Sequence, residues 1–163
     1  MIYKKAKLFW KLDDTSKVIF CVPFDDDLEY YVFLKQCHND GYRQIIITSA
    51  LMIELVEHFV MEIGLSIFDI EFMEEDQDLQ SEVKDLIDKV SKNKAFLGKL
   101  ITRLNFLSEK SSIDIKRIYI KGRSSENVAI NFYLQSNGLI GINNESYIPI
   151  SKEISSFIAG CLF

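Results

Sequence analysis

The chain is 163 residues long, 48% hydrophobic and 26% charged, with a formal net charge of −5. That length sets the expectation of one domain over 1–163, and the acidic balance argues against a general nucleic-acid binder. Pro23 and Pro149 are the only prolines and glycine is sparse, so little of the chain reads as linker.

The opening stretch predicts two antiparallel strands, Leu8–Leu12 and Lys17–Val22, joined by a turn at Asp13-Asp14-Thr15-Ser16. Residues 18–22 are apolar without alternation, as in a strand covered on both faces. Asp25-Asp26-Asp27 reads as a helix start, because carboxylates suit the free N–H groups there. Leu28, Tyr31, Val32 and Leu34 carry that helix to a stop at Asn39-Asp40-Gly41. A buried strand over Gln44–Thr48 follows, then a helix capped by Ser49 with the stripe Leu51, Leu55, Phe59 and Ile63. Ser66–Phe72 alternates like a half-buried strand near an edge.

Helical spacing predicts helices over 78–90 and 94–109. Ile113–Ile120 reads as a strand. The stretch 125–137 is ambiguous between strand and helix. Ser124-Ser125-Glu126 resembles a helix start and Asn137-Gly138 a stop, which favours helix. Leu139–Ile142 and Ser146–Ile150 would be short strands, and Ser151 would cap a last helix.

This order predicts an α/β fold. Its sheet would be mostly parallel and Rossmann-like, in three layers, with an antiparallel N-terminal hairpin and a helical segment at 74–110. The alternative is an α+β domain in which 113–150 is a β-meander.

In a parallel sheet, ligands bind beyond the carboxyl ends of the strands. The loops expected there carry Asp25 and Asp27, Thr48 and Ser49, Glu74-Glu75-Asp76, and Lys121, Arg123, Ser124 and Ser125. Oxygen ligands from Asp25 and Asp27 suit Mg2+, and the cations and hydroxyls suit a phosphate. The spaced Asp-x-Asp-x-Thr of haloacid-dehalogenase-like phosphohydrolases is missing, and no acidic pair matches response-regulator receivers. Asp114-x-Lys116 resembles one element of restriction-type nucleases but has no preceding acidic hairpin. His38 and His58 have no zinc-ligand spacing around them, and Gly-x-Ser-x-Gly, Walker and Gly-x-Gly-x-x-Gly motifs are absent.

Charge is distributed unevenly. Residues 66–90 hold nine acids and two lysines, and residues 91–123 hold nine Lys/Arg and two acids. Lys99 and Arg103 share one face of a predicted helix. The basic segment 92–123 could meet a phosphate backbone or an acidic protein, or simply neutralise the acidic helix beside it.

Three cysteines, an odd count with no close pair, suit a reducing, cytoplasmic setting. No apolar run is long enough to predict a membrane span. Together these features predict a small binding or regulatory domain that acts through a protein partner, of an accessory, immunity or mobile-element kind, without a cofactor. A Mg2+-dependent enzyme acting on phosphate esters is the first alternative, and nucleic-acid contact through 92–123 the second.

Overall fold

The computed structural model describes residues 2–12, 15 and 17–163. The turn expected at Asp13-Asp14-Thr15-Ser16 falls largely outside them. In chain order the elements are β1 (Tyr3–Lys11), β2 (Phe20–Pro23), α1 (Tyr30–Asn39), β3 (Tyr42–Gln44), α2 (Ser49–Glu57), a π-helical turn (His58–Glu62) and β4 (Ser66–Phe72). Then come α3 (Gln77–Lys92), α4 (Leu97–Lys110), β5 (Ile115–Arg123), β6 (Ala129–Gln135), β7 (Leu139–Asn143) and α5 (Tyr147–Leu162).

The sheet runs β2-β1-β7-β6-β5-β4, with β3 also on β1, and every pairing is antiparallel. The fold is therefore α+β, and the mostly parallel, Rossmann-like expectation is overturned. The reason lies in the connections. Residues 124–128 and 136–138 are too short for a crossover, so β5, β6 and β7 must be antiparallel neighbours. Between β4 and β5 the chain leaves along α3 and returns along α4, which again delivers an antiparallel strand.

The helix expected over 125–137 is strand β6. Ile130, Phe132 and Leu134 point into the core, and Asn131, Tyr133 and Gln135 point out. The Ser124-Ser125-Glu126 start is the β5–β6 turn, where Ser124 Oγ accepts from Val128 N at 3.1 Å and Asn127 takes a positive φ of 64°. The strand expected at 146–150 is instead the first turn of α5. Pro149 fits there because a first-turn residue has no intrahelical partner for an N–H. Ser151 lies inside that helix rather than capping it. The strand expected at 17–22 is shorter, at Phe20–Pro23, and the one expected at 44–48 instead precedes that stretch, at Tyr42–Gln44, with 45–48 outside any strand.

One face of the sheet is the core side. Ala6, Leu8, Ile70, Phe72, Ile118, Ile120, Phe132, Leu134, Ile140 and Ile142 pack there against the apolar stripes of α2, α3, α4 and α5. Phe132 meets Phe59 edge-on at 4.9 Å, which ties the π-helical turn to the sheet centre. His58 in that turn sits between Glu62 and Glu153, at 2.9 and 2.7 Å, and stacks on Phe157. Among the described residues, the opposite, outer face carries α1 alone, over β1 and β2. Phe9, Phe33 and Cys37 form a small separate cluster there.

Both sheet edges are interrupted. β2 spans four residues and ends in Pro23, and the pairing of β4 shifts register twice, between Ile67 and Asp69 and between Glu71 and Phe72. Among the described residues, no helix is long and apolar enough to cross a membrane.

Candidate functional site

The residues singled out from sequence do not come together. Asp25 and Asp27 follow β2, and Lys121, Arg123 and Ser124 belong to β5 and its turn. Strands β1, β7 and β6 lie between them. Four strand spacings separate the two groups by about 19 Å. Asp25 Oδ1 accepts from Asp27 N at 3.0 Å, a local turn that precedes α1 rather than capping it; α1 itself begins at Tyr30. Among the described residues, no three His, Cys, Asp or Glu side chains are grouped to hold a metal ion.

Thr48 and Ser49 have structural roles. Thr48 caps α2 through Leu51 N at 3.2 Å. Ser49 is buried, donates to Asp114 Oδ1 at 3.0 Å and accepts from Ile115 N at 3.0 Å, which pins α2 to the start of β5. Asp114 is thereby occupied, and Lys116 faces the acidic loop at Glu74, Glu75 and Asp76. Ser124 Oγ serves its own turn, and Arg123 donates to Asn127 O at 2.9 Å.

The basic segment 92–123 is divided between two sides of the sheet. Lys99 and Arg103 are on α4, in the helical layer on the core side. Arg103 faces Glu82 of α3, with Nε and Nη2 2.9 and 3.0 Å from its carboxylate. The acidic and basic helices thus neutralise each other in part. Both partners stay half-exposed, so Glu82→Gln should lower stability by no more than about 1 kcal/mol in urea unfolding. A larger loss would mean that this pair is a real anchor of α3.

Lys121, in contrast, stands on the outer face, where a different arrangement forms. Among the described residues, no helix covers the outer side of β7, β6, β5 and β4. Tyr3 on β1, Tyr133 on β6, Tyr119 on β5 and Phe68 on β4 make a row across the sheet. Their ring centroids are 6.2, 6.0 and 6.3 Å apart. Strand β7 passes beneath this row at Gly141. A Cβ there would lie 2.3 Å from the Tyr133 ring, so the missing side chain is what lets the ring lie down on the strand.

Cations are interleaved with the rings. Lys121 Nζ is 4.3 Å from the Phe68 centroid, and the Arg117 guanidinium is 4.8 Å from that of Tyr133. Arg117 Nη1 donates to Tyr119 Oη at 2.7 Å, Nη2 donates to Gln135 Oε1, and Tyr119 in turn donates to Glu71 Oε1 at 2.9 Å. Burial raises the Tyr119 hydroxyl above its ordinary range. Lys5, on β1 beyond β7, pairs with Asp26 at 3.0 Å, and that hydrogen bond raises its ammonium.

The sequence pointed to Lys121 and, within the basic segment 92–123, to Arg117, but not to the four rings or Lys5. A signal for them was present. Tyr119 sits between Ile118 and Ile120, and Tyr133 between Phe132 and Leu134, so each is an aromatic on the polar face of an alternating strand. Such a position sets a large ring on the polar face of the sheet rather than in the core.

The fold and this surface define an antiparallel α+β domain with half of one sheet face open. No family model, curated protein or solved structure matches the chain.

Proposed function

We propose that this protein is a binding module whose ligand is a single-stranded nucleic acid laid across the open half of the sheet. The observation that carries this reading is the row of four rings with Lys5, Arg117 and Lys121 set among them. Rings offer stacking partners to successive bases, whatever their sequence, and cations beside them meet the backbone. A duplex could not use such a surface, because its bases are already stacked on each other. The binding role expected from sequence is kept, and the partner changes from a protein to a nucleic acid. The contact surface also changes, from the whole of 92–123 to the outer face, with Arg117 and Lys121 common to both.

The face holds acids as well, Asp69 and Glu71, so few phosphates are neutralised and binding should weaken with salt at a shallow slope. The test is anisotropy of a labelled U-rich RNA 12-mer and its DNA equivalent at low salt. Tyr3 and Phe68 are the exposed ends of the row, at 38% and 47%, so their removal leaves the core intact. Tyr3→Ala with Phe68→Ala should weaken binding about tenfold or more, given about 1–3 kcal/mol per stacked base. Phe68→Tyr should restore most of its share, and Lys99→Ala with Arg103→Ala should change little. Absence of binding to both oligonucleotides at low salt overturns the reading, as does a loss confined to the Lys99/Arg103 variant.

A further inference from the structure

The ring-and-cation pattern does not stop where the open face stops. On β1 the outward positions read Tyr3, Lys5, Lys7, Phe9 and Lys11. Lys11 Nζ lies 4.9 Å from the Tyr42 ring and 5.5 Å from the Phe20 ring, and Lys7 Nζ lies 5.9 Å from Phe9. The same chemistry therefore continues onto β2 and β3, and there it is covered by α1.

That cover is weakly held. Of the ten residues in α1, Phe33 and Cys37 are buried, while Tyr31 is 71% exposed. The helix has no side-chain cap at its start and no acid in its first turn. Its cluster is separate from the main core. The loop before it is held by Phe24, which donates its N–H to Lys5 O at 2.9 Å and packs on Tyr30 and Phe33, and by the exposed Lys5–Asp26 pair, which contributes little in water. Beneath it Lys7 is fully buried and hydrogen-bonds the carbonyl of Asn137, with no carboxylate among the described residues to compensate its charge. Closing α1 thus strips water from an ammonium group, a cost that opening removes.

We infer that α1 and its preceding loop form a removable cover, and that lifting them extends the nucleic-acid face across β1 to Lys7, Phe9, Lys11, Phe20 and Tyr42. This extension rests on the reading proposed above, whereas the lifting does not, and the two are tested separately. Cys37 reports on α1 because its thiol is buried under the helix. In a Cys21→Ser, Cys161→Ser background it is the sole thiol. Lifting predicts that iodoacetamide labels Cys37 at least tenfold faster than the domain unfolds. It also predicts little dependence on urea below the unfolding transition, since little surface is exposed by a local opening. Phe33→Ala should speed labelling further while the sheet stays folded by circular dichroism. Labelling that tracks global unfolding, with its full urea dependence, overturns the cover.

The second arm adds the U-rich RNA. If the ligand uses the extension, it favours the lifted state and labelling accelerates. Binding that leaves labelling unchanged or slower overturns the extension and leaves the open-face reading standing. No binding at all overturns the nucleic-acid reading, while the labelling rate without RNA still decides whether α1 lifts.

Discussion

Replacing Lys7 by Met should make the protein more stable, by about 2–3 kcal/mol at pH 7. Lys7 is fully buried on β1, and desolvation pushes its ammonium down to about 8 from an ordinary 10.5. A gap of that size amounts to about 3 kcal/mol of preference for the uncharged form, at 1.36 kcal/mol per pH unit. Below pH 8 the folded protein carries that burden in full. Methionine matches the length of the side chain, keeps the contact with Phe9 and Tyr30, and removes the charge. What it loses is the hydrogen bond to the Asn137 carbonyl, about 1 kcal/mol, which leaves a net gain.

The pH dependence gives the claim its sign. Between about 8 and 10.5 the unfolded chain binds the proton that the folded chain has released, so wild-type stability rises with pH across that window. The Met variant should lack this rise, so its advantage shrinks through that window, and above about pH 10.5 the wild type should lead by about the 1 kcal/mol of its Asn137 bond. Urea unfolding at pH 7, 9 and 10 checks it. A variant less stable than wild type at pH 7 would mean that the Asn137 bond outweighs the desolvation.

The second large effect is expected at Gly138, in the tight turn between β6 and β7. Its φ is +84°, and a Cβ there would lie 3.0 Å from the Ile45 carbonyl oxygen and 3.4 Å from that of Leu8. Those atoms belong to the backbone and cannot rotate away. The left-handed conformation alone costs an L side chain about 1–2 kcal/mol. The turn is also stitched to its neighbour, since Leu8 N donates to Gly138 O at 2.9 Å. Gly138→Ala should therefore destabilise the fold by about 2–3 kcal/mol. A loss under about 0.5 kcal/mol would show that the turn has freedom to relax.

Local elements were largely legible in the sequence. The apolar spacing in 78–90 and 94–109 and the alternation in Ser66–Phe72 correspond to α3, α4 and β4 because each signal is contained within a few turns or residues. Strand direction was not, because it depends on what each segment meets far along the chain. Val128–Leu134 alternates well enough for a strand, yet its polar flanks mimic helix ends, and only its seat between β5 and β7 decides. The same limit hid the surface. Tyr3, Phe68, Tyr119 and Tyr133 come from four strands, and they form a row because β7 inserts between β1 and β6 with Gly141 under the Tyr133 ring. Asp25 and Lys121 illustrate the converse. They suit one ligand by chemistry, but the strand order sets them far apart.

The interrupted sheet edges bear on behaviour at high concentration. A long, regular border strand would template the addition of another chain through its free amides and carbonyls. Here one border is brief and ends at Pro23, and the other is twisted out of register at Phe68 and Glu71. Growth of fibrils by border-to-border docking is disfavoured at both ends, which leaves the molecule free to keep a broad aromatic surface uncovered without polymerising through its backbone.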